Sequence, residues 1–185
     1  MSSQTTPGGL DRRACKCAPV RLSHRLGSLY PLNEPEQIGC VTTIQKLARF
    51  ELVIYRMEAV YGFKQLCGIP EQPGDLDDIL TYAYLWVLGA YEIVRTLAEK
   101  TKYPSIVQAK KLFERIRVPL AKLEASRNYK KADFNFTFPA VLPGACFGAG
   151  WAINQNEIIL RTSLSCELFD ALSQFGQIES ERPVG

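Results

Sequence analysis

Eight of the 22 lysine and arginine side chains fall between positions 108 and 131, and this is where the sequence comes closest to a chemistry. They are Lys110, Lys111, Arg115, Arg117, Lys122, Arg127, Lys130 and Lys131, with only Glu114 and Glu124 to balance them. Phe113, Tyr129 and Phe134 are interspersed. A basic run is an ordinary solvated helix face, but one this rich also suits phosphate or an acidic protein, and Tyr129 is placed to stack on a base. A second constellation is Glu92 with Arg95 and Glu99. Residues three and four apart meet on a helix and stabilise it by roughly 0.2–0.5 kcal/mol, so Glu92 and Arg95 read as a structural ion pair internal to the chain. Glu92 follows Leu85, Leu88 and Gly89; if partly buried, it needs a partner such as Arg115 or Arg117.

Other chemistries lack their residues. No glycine-rich loop leads into Lys followed by Ser or Thr, and neither His-Glu-x-x-His nor Gly-x-Ser-x-Gly occurs. The glycines of PGACFGAG, residues 143–150, read as turn glycines rather than a phosphate cradle. His24 is the single histidine and sits between Arg21 and Arg25 in a polar segment, a poor place for a catalytic base. Cys15 and Cys17 form the one close cysteine pair, short of the two pairs or added histidines a zinc site uses. Neither metal nor cofactor is expected.

Arg127-Asn128 resembles the start of the motif of the HEPN superfamily of helical RNA-cleaving domains, an arginine and a polar residue followed four to six residues later by histidine. Here that position falls at Ala132, Asp133 or Phe134. The resemblance covers two residues, and with no histidine it implies a chain that binds without cleaving. Three readings follow. The first is a non-catalytic cytoplasmic module meeting an acidic protein or nucleic acid through its basic surface. The second is a ribonuclease-like or phosphate-handling enzyme using Arg115, Arg117, Arg127 and the Glu92–Arg95 pair. The third is a homo-oligomeric structural subunit whose central helix is completed by another copy.

The elements that must position these groups are legible from periodicity. At 185 residues and 46% hydrophobic content, the chain can bury roughly 70% of its unfolded surface in one core. Residues 75–100 read as a helix that is apolar on nearly every side. One stripe is Leu76, Leu80, Ala83, Val87, Ala90, Val94 and Leu97; a second is Ile79, Tyr82, Trp86 and Ile93, with Leu85, Leu88 and Tyr91 between them. The uncharged run is 13 residues, below the ~20 of a membrane span, so it is expected to be a buried axle. Ahead of it, Asn33 and Glu36 form a capping-box pattern opening a helix. Its apolar stripe would be Ile38, Val41, Ile44, Ala48, Leu52, Tyr55 and Ala59, with Gly62 as the stop. Asp75 is expected to cap the central helix.

Pro104 opens a third helix that should kink or restart at Pro119. Phe134, Phe136 and Phe138 alternate with polar residues as in a half-buried strand. Pro143-Gly144 marks a turn. Residues 149–153 and 157–162 flank Asn154-Gln155-Asn156 as a hairpin. Ser163 or Ser165 would cap a short last helix bearing Leu168, Phe169, Leu172 and Phe175. The expected class is therefore α+β, mainly α: three long antiparallel helices around a buried central one, then two or three short strands and a short C-terminal helix. The expected organisation is a flexible basic tail at 1–32 and one compact domain at 33–178 (helical to 131, β/α from 132), with a disordered end at 179–185. Six scattered cysteines and no apolar leader favour free thiols and a cytoplasmic setting.

The first 32 residues carry five basic groups and Pro7, Gly8, Gly9, Pro19 and Pro31, with no apolar period. Deleting them should leave the chemical denaturation midpoint of the remaining chain nearly unchanged. A large drop would show that Leu22, Leu26, Leu29 and Tyr30 dock on the body.

Overall fold

A computed structural model describes residues 35–142 and 147–180. The Asn33 cap, the tail, the Pro143-Gly144 turn and the last five residues lie outside the described residues. The class is as the periodicity indicates, mainly helical α+β. Helix α1 spans Pro35–Leu66, α2 Asp75–Thr101 and α3 Pro104–Lys122. Strands β1 (Phe138–Leu142), β2 (Gly148–Asn154) and β3 (Glu157–Leu160) follow, and then helix α4 (Arg161–Ser180).

Helix α1 does not stop at Gly62. It runs one turn further, and Gly68 ends it in a left-handed conformation, φ 63°. The amide of Ile69 donates to the Lys64 carbonyl (2.9 Å) and that of Gly68 to the Gln65 carbonyl (3.2 Å). This six-to-one and five-to-two pair satisfies the last carbonyls of the helix. The cap of α2 is likewise not Asp75 but Gly74, at φ 97°. Asp75 is the first helical residue, and its carboxylate accepts from Lys64 Nζ at 2.7 Å and the Gln72 amide at 3.1 Å. The salt bridge pins the end of α1 to the start of α2.

Contacts Leu47 with Gly89, Phe50 with Tyr82 and Lys64 with Asp75 run in opposite directions along the two helices, so α1 and α2 are antiparallel. At Gly89 a Cβ would lie 3.1 Å from Leu47 Cδ1, a tight contact that the leucine end would have to yield to by a few tenths of an ångström. Two residues, Lys102 and Tyr103, join α2 to α3 and force a second antiparallel pair. Helix α3 passes through the buried Pro119 as one helix and ends a turn later at Leu123, φ 54°.

Ala83, Val87, Ala90 and Val94 of α2 are fully inaccessible, as is Trp86. The helix is not buried all round, however. Tyr82 and Leu85 are 38% and 46% exposed. From Ala83 to Leu97 the stripe is buried within one chain by α1, α3, α4 and β2, while Leu76 and Leu80 stay half-buried.

Residues 134–137 are not the expected strand. Phe134 makes one ladder-like bond to the Ile153 carbonyl (2.7 Å), and pairing begins only at Phe138. Phe136 and Phe138 stay about half exposed and pack edge-on against each other, 4.8 Å between centroids. The sheet order is β1-β2-β3, antiparallel throughout, with the expected hairpin turn at residues 155–156. β2 lies against the core, and Gly150 is compulsory there, since a Cβ would fall 2.6 Å from the Ile159 carbonyl oxygen. β3 passes directly into α4 at Arg161 with no intervening loop. Neither Ser163 nor Ser165 caps it; both lie inside a 20-residue helix, not a short one.

Trp86 packs against Phe113 (centroids 6.0 Å apart) where α2 and α3 meet. Trp86→Ala should cost about 3–5 kcal/mol in a denaturation measurement, the usual range for a large buried aromatic. A loss below ~1 kcal/mol would mean that this face of α2 is not packed.

Candidate functional site

The basic run divides into committed and available charges. Arg115 is committed. Its Nε and Nη2 donate to the two Asp133 oxygens (2.9 and 2.8 Å), and Nη1 and Nη2 donate to Glu157 (3.1 and 2.9 Å). Its side chain is only 13% exposed, Asp133 is nearly inaccessible, and the guanidinium carbon lies 4.4 Å above the Tyr129 ring. These bonds, those to Asp133 first, push the guanidinium pKa further up. Lys110 pairs with Glu114 at 2.9 Å, which raises its pKa, and Arg117 lies 5.1 Å over the Tyr91 ring. Lys111, Lys122, Arg127, Lys130 and Lys131 are exposed and make no ion pair among the described residues.

The last four of these sit at the end of α3 and on the turns that follow it, so local sequence places them close together. Asp133, one of the positions where the HEPN pattern has its histidine, is consumed by Arg115. Tyr129, expected to stack on a base, has one ring face taken by the same arginine. Glu92 and Arg95 do pair within the chain, on the exposed side of α2 rather than partly buried. They form an exposed pair at 2.8 Å, with Arg95 also reaching Glu99 at 2.9 Å. Solvent screens such pairs, and Glu92 turns to neither Arg115 nor Arg117. No described pocket gathers the nominated arginines with Glu92. A cavity of about 260 Å³ lies between the end of α1 and the start of α2, lined by Met57, Tyr61 and Ile79 with Arg56, Lys64, Asp75 and Asp78 at its polar edge.

The strongest electrostatic constellation is one that sequence reasoning missed. Arg161 is fully buried, and its Nε and Nη2 donate to Glu58 at 3.1 and 2.5 Å. Nη1 donates to Glu51 at 3.2 Å, and the Ala149 amide of β2 donates to Glu58 at 3.0 Å. Both acids are essentially inaccessible. The expected stripe of α1 passes over Leu52, Tyr55 and Ala59, but the buried face is Glu51, Ile54, Glu58 and Tyr61, and Tyr55 is 45% exposed. Two carboxylates seven residues apart, on the stripe that continues Ile44 and Leu47, were the available signal.

One cation faces two acids, so the burial is not fully compensated. Loss of solvation, above all, raises the Glu51 pKa, with Glu58 adding to it and Arg161 and Ser165 opposing. Ser165 is a near neighbour whose hydroxyl makes no hydrogen bond of ordinary geometry, and Glu51 Oε2 is also unpaired. A protonated Glu51 leaves the cluster neutral. The cluster holds no open approach for a substrate, and its chemistry is structural.

Removing the cation strands buried carboxylates, so Arg161→Met should cost about 3–5 kcal/mol. Glu51→Gln should behave oppositely with pH. A raised folded pKa stabilises the protein below the unfolded value near 4.5 and loses that contribution as pH climbs through the folded one. Denaturation at pH 5 through 8 should show the Gln variant gaining on the native chain as pH rises. A pH-independent difference would show Glu51 ionised throughout. No protein-family model, characterised protein or solved structure matches this chain, so the chemistry of these groups alone bears on function.

Proposed function

We propose that the protein is a non-catalytic binding module that meets a polyanionic partner through the basic surface at the end of α3. The observation that carries this reading is the set Lys111, Lys122, Arg127, Lys130 and Lys131, exposed and with no ion pair among the described residues while their neighbour Arg115 is anchored. The Arg115–Asp133–Glu157 clip ties α3 to the turns bearing Arg127, Lys130 and Lys131, so part of the cost of ordering them is met in the fold. Nucleic acid is the polyanion we favour, because each of its phosphates can take one cation, and an acidic protein is the alternative partner. Free thiols at Cys67 and Cys166 accord with a reducing, cytoplasmic setting, and no helix among the described residues is long and apolar enough to cross a membrane. The ribonuclease-like reading has less support, because Arg115 and Arg117 are engaged internally and Arg127 stands apart from any described cleft. The oligomeric reading has less support from α2, since Ala83 to Leu97 of its stripe are buried within the chain.

Salt titration tests the proposal. If all five cations reach phosphates of a single strand, the log–log slope of affinity against salt should be about −3.5, at roughly −0.7 per contact. Substituting Lys122, Arg127, Lys130 and Lys131 with Gln should flatten it by about 3 and leave circular dichroism unchanged. Substituting Arg115 should instead lower stability. Absence of binding to RNA and DNA at low salt would eliminate nucleic acid and leave the acidic protein.

A further inference from the structure

The outer face of the sheet carries an aromatic cluster beside the basic turns. Side chains alternate across a strand, and Ala149, Trp151 and Ile153 of β2 are buried in the core. Phe138 pairs with Ala152 and Ala152 with Ile158, so this row lies on the opposite face. Phe138 and Ile158 are 48 and 50% exposed, and Phe136, just ahead of the strand, is 49% exposed. The Phe136 and Phe134 rings lie 4.8 and 5.8 Å from that of Phe138, centroid to centroid, and both meet it edge-on. We infer that Phe136 and Phe138 form a stacking platform for the bases of an unpaired nucleic-acid strand whose phosphates lie along Arg127, Lys130 and Lys131.

The platform rests on the polyanionic reading above and adds what is recognised besides charge. The chain runs directly from the cations onto the sheet. Arg115 holds Asp133 at 2.8 Å, and the next amide, that of Phe134, donates to the Ile153 carbonyl of β2 at 2.7 Å. Lys131 and Phe136 lie five residues apart across that double anchor, a separation of at most ~18 Å. The surface therefore joins exposed cations to half-exposed rings, the two features that single strands use, since every base has a π-face. Tyr129 offers less, because Arg115 lies 4.4 Å over one face of its ring. Exposed amides border the row, Asn135 beside Phe136 and Gln155 and Asn156 in the turn close to Ile158. They suit the hydrogen-bonding edges of bases and oppose insertion of this face into lipid. A duplex stacks its bases on one another, so rings on a protein surface reach base faces only where the strand is unpaired.

Fluorescence anisotropy of a labelled mixed-sequence oligonucleotide, as single-stranded DNA, single-stranded RNA and the duplex of each, titrated with the full chain at low salt, tests this. Phe136→Ala should weaken single-strand binding about 5–150-fold, the effect of losing one base–aromatic stack, and leave duplex affinity unchanged. The salt slope should not move, because no phosphate contact is lost. Phe136→Tyr should bind like the native chain and Phe136→Leu should not. Phe136→Trp keeps the bulk of the site, and its emission should be quenched by the single strands alone. Trp86 and Trp151 are 0 and 2% exposed, so the new tryptophan supplies the responsive signal. Phe136 precedes the first ladder pair, and all these variants should keep the native thermal midpoint. Absence of binding to every oligonucleotide removes the nucleic-acid reading and the platform with it. Single-strand binding that falls when Lys122, Arg127, Lys130 and Lys131 become Gln, yet is indifferent to Phe136→Ala and leaves the Phe136→Trp emission unmoved, overturns the platform alone. So does a Leu variant as tight as the Tyr variant, or a loss equal on strand and duplex. Phe136-dependent binding to phosphatidylserine vesicles in place of the single strands assigns the face to a membrane and overturns it as well.

Discussion

The guanidinium of Arg161 holds together parts of the chain that are far apart in sequence. It stands where β3 turns into α4, and it binds Glu58 with two parallel hydrogen bonds and Glu51 with one. Glu58 also accepts from the backbone of β2, so one carboxylate joins the long first helix, the middle strand and the last helix. A buried ion cluster is a weak source of net stability, since desolvation offsets most of the attraction. Its effect is on uniqueness. Any rotation of α1 or slip of the β3–α4 junction would leave charges unpaired away from water, and this fixes which face of α1 looks inward.

That choice of face propagates outward. With Glu51 and Glu58 turned in, Tyr55, Val60 and Phe63 are turned out, and α1 keeps these large apolar side chains exposed. Within the core, α2 lies between α1 and α3, with its small residues letting neighbours approach and Trp86 filling the space beside Phe113. The guanidinium of Arg161 lies 5.9 Å from the Trp86 ring, so the ion cluster and the aromatic core are one continuous interior.

Arg115 plays a comparable part on the other side. It ties α3 to the turn at Asp133 and to β3 through Glu157, and Asn154 lies within hydrogen-bond reach of both acids. The clip withdraws the most central arginine of the basic run from solvent and leaves the flanking cations on a surface of fixed shape. Charge at this end of the molecule thus divides between holding the fold and facing solvent, and the division follows which acids lie within reach.

The sequence by itself determined the elements and their class. The apolar periods gave α2 and its inaccessible stripe, Pro104 gave the start of α3, and the polar break at residues 154–156 gave the hairpin, because all of these depend on interactions within a few residues. Local signals also misled. Gly62 sits in mid-helix since burial outweighs its low propensity, and the phenylalanine alternation at 134–138 lacks a partner strand over its first half. The basic surface was legible as composition. Which of its charges remain available was decided by Asp133 and Glu157, and the acid at 157 is 42 residues from Arg115. Only the tertiary structure decided that Glu51 and Glu58 face inward and Tyr55 outward. A carboxylate reads as solvent-facing until its counter-charge is known, and here that charge arrives from 103 residues away.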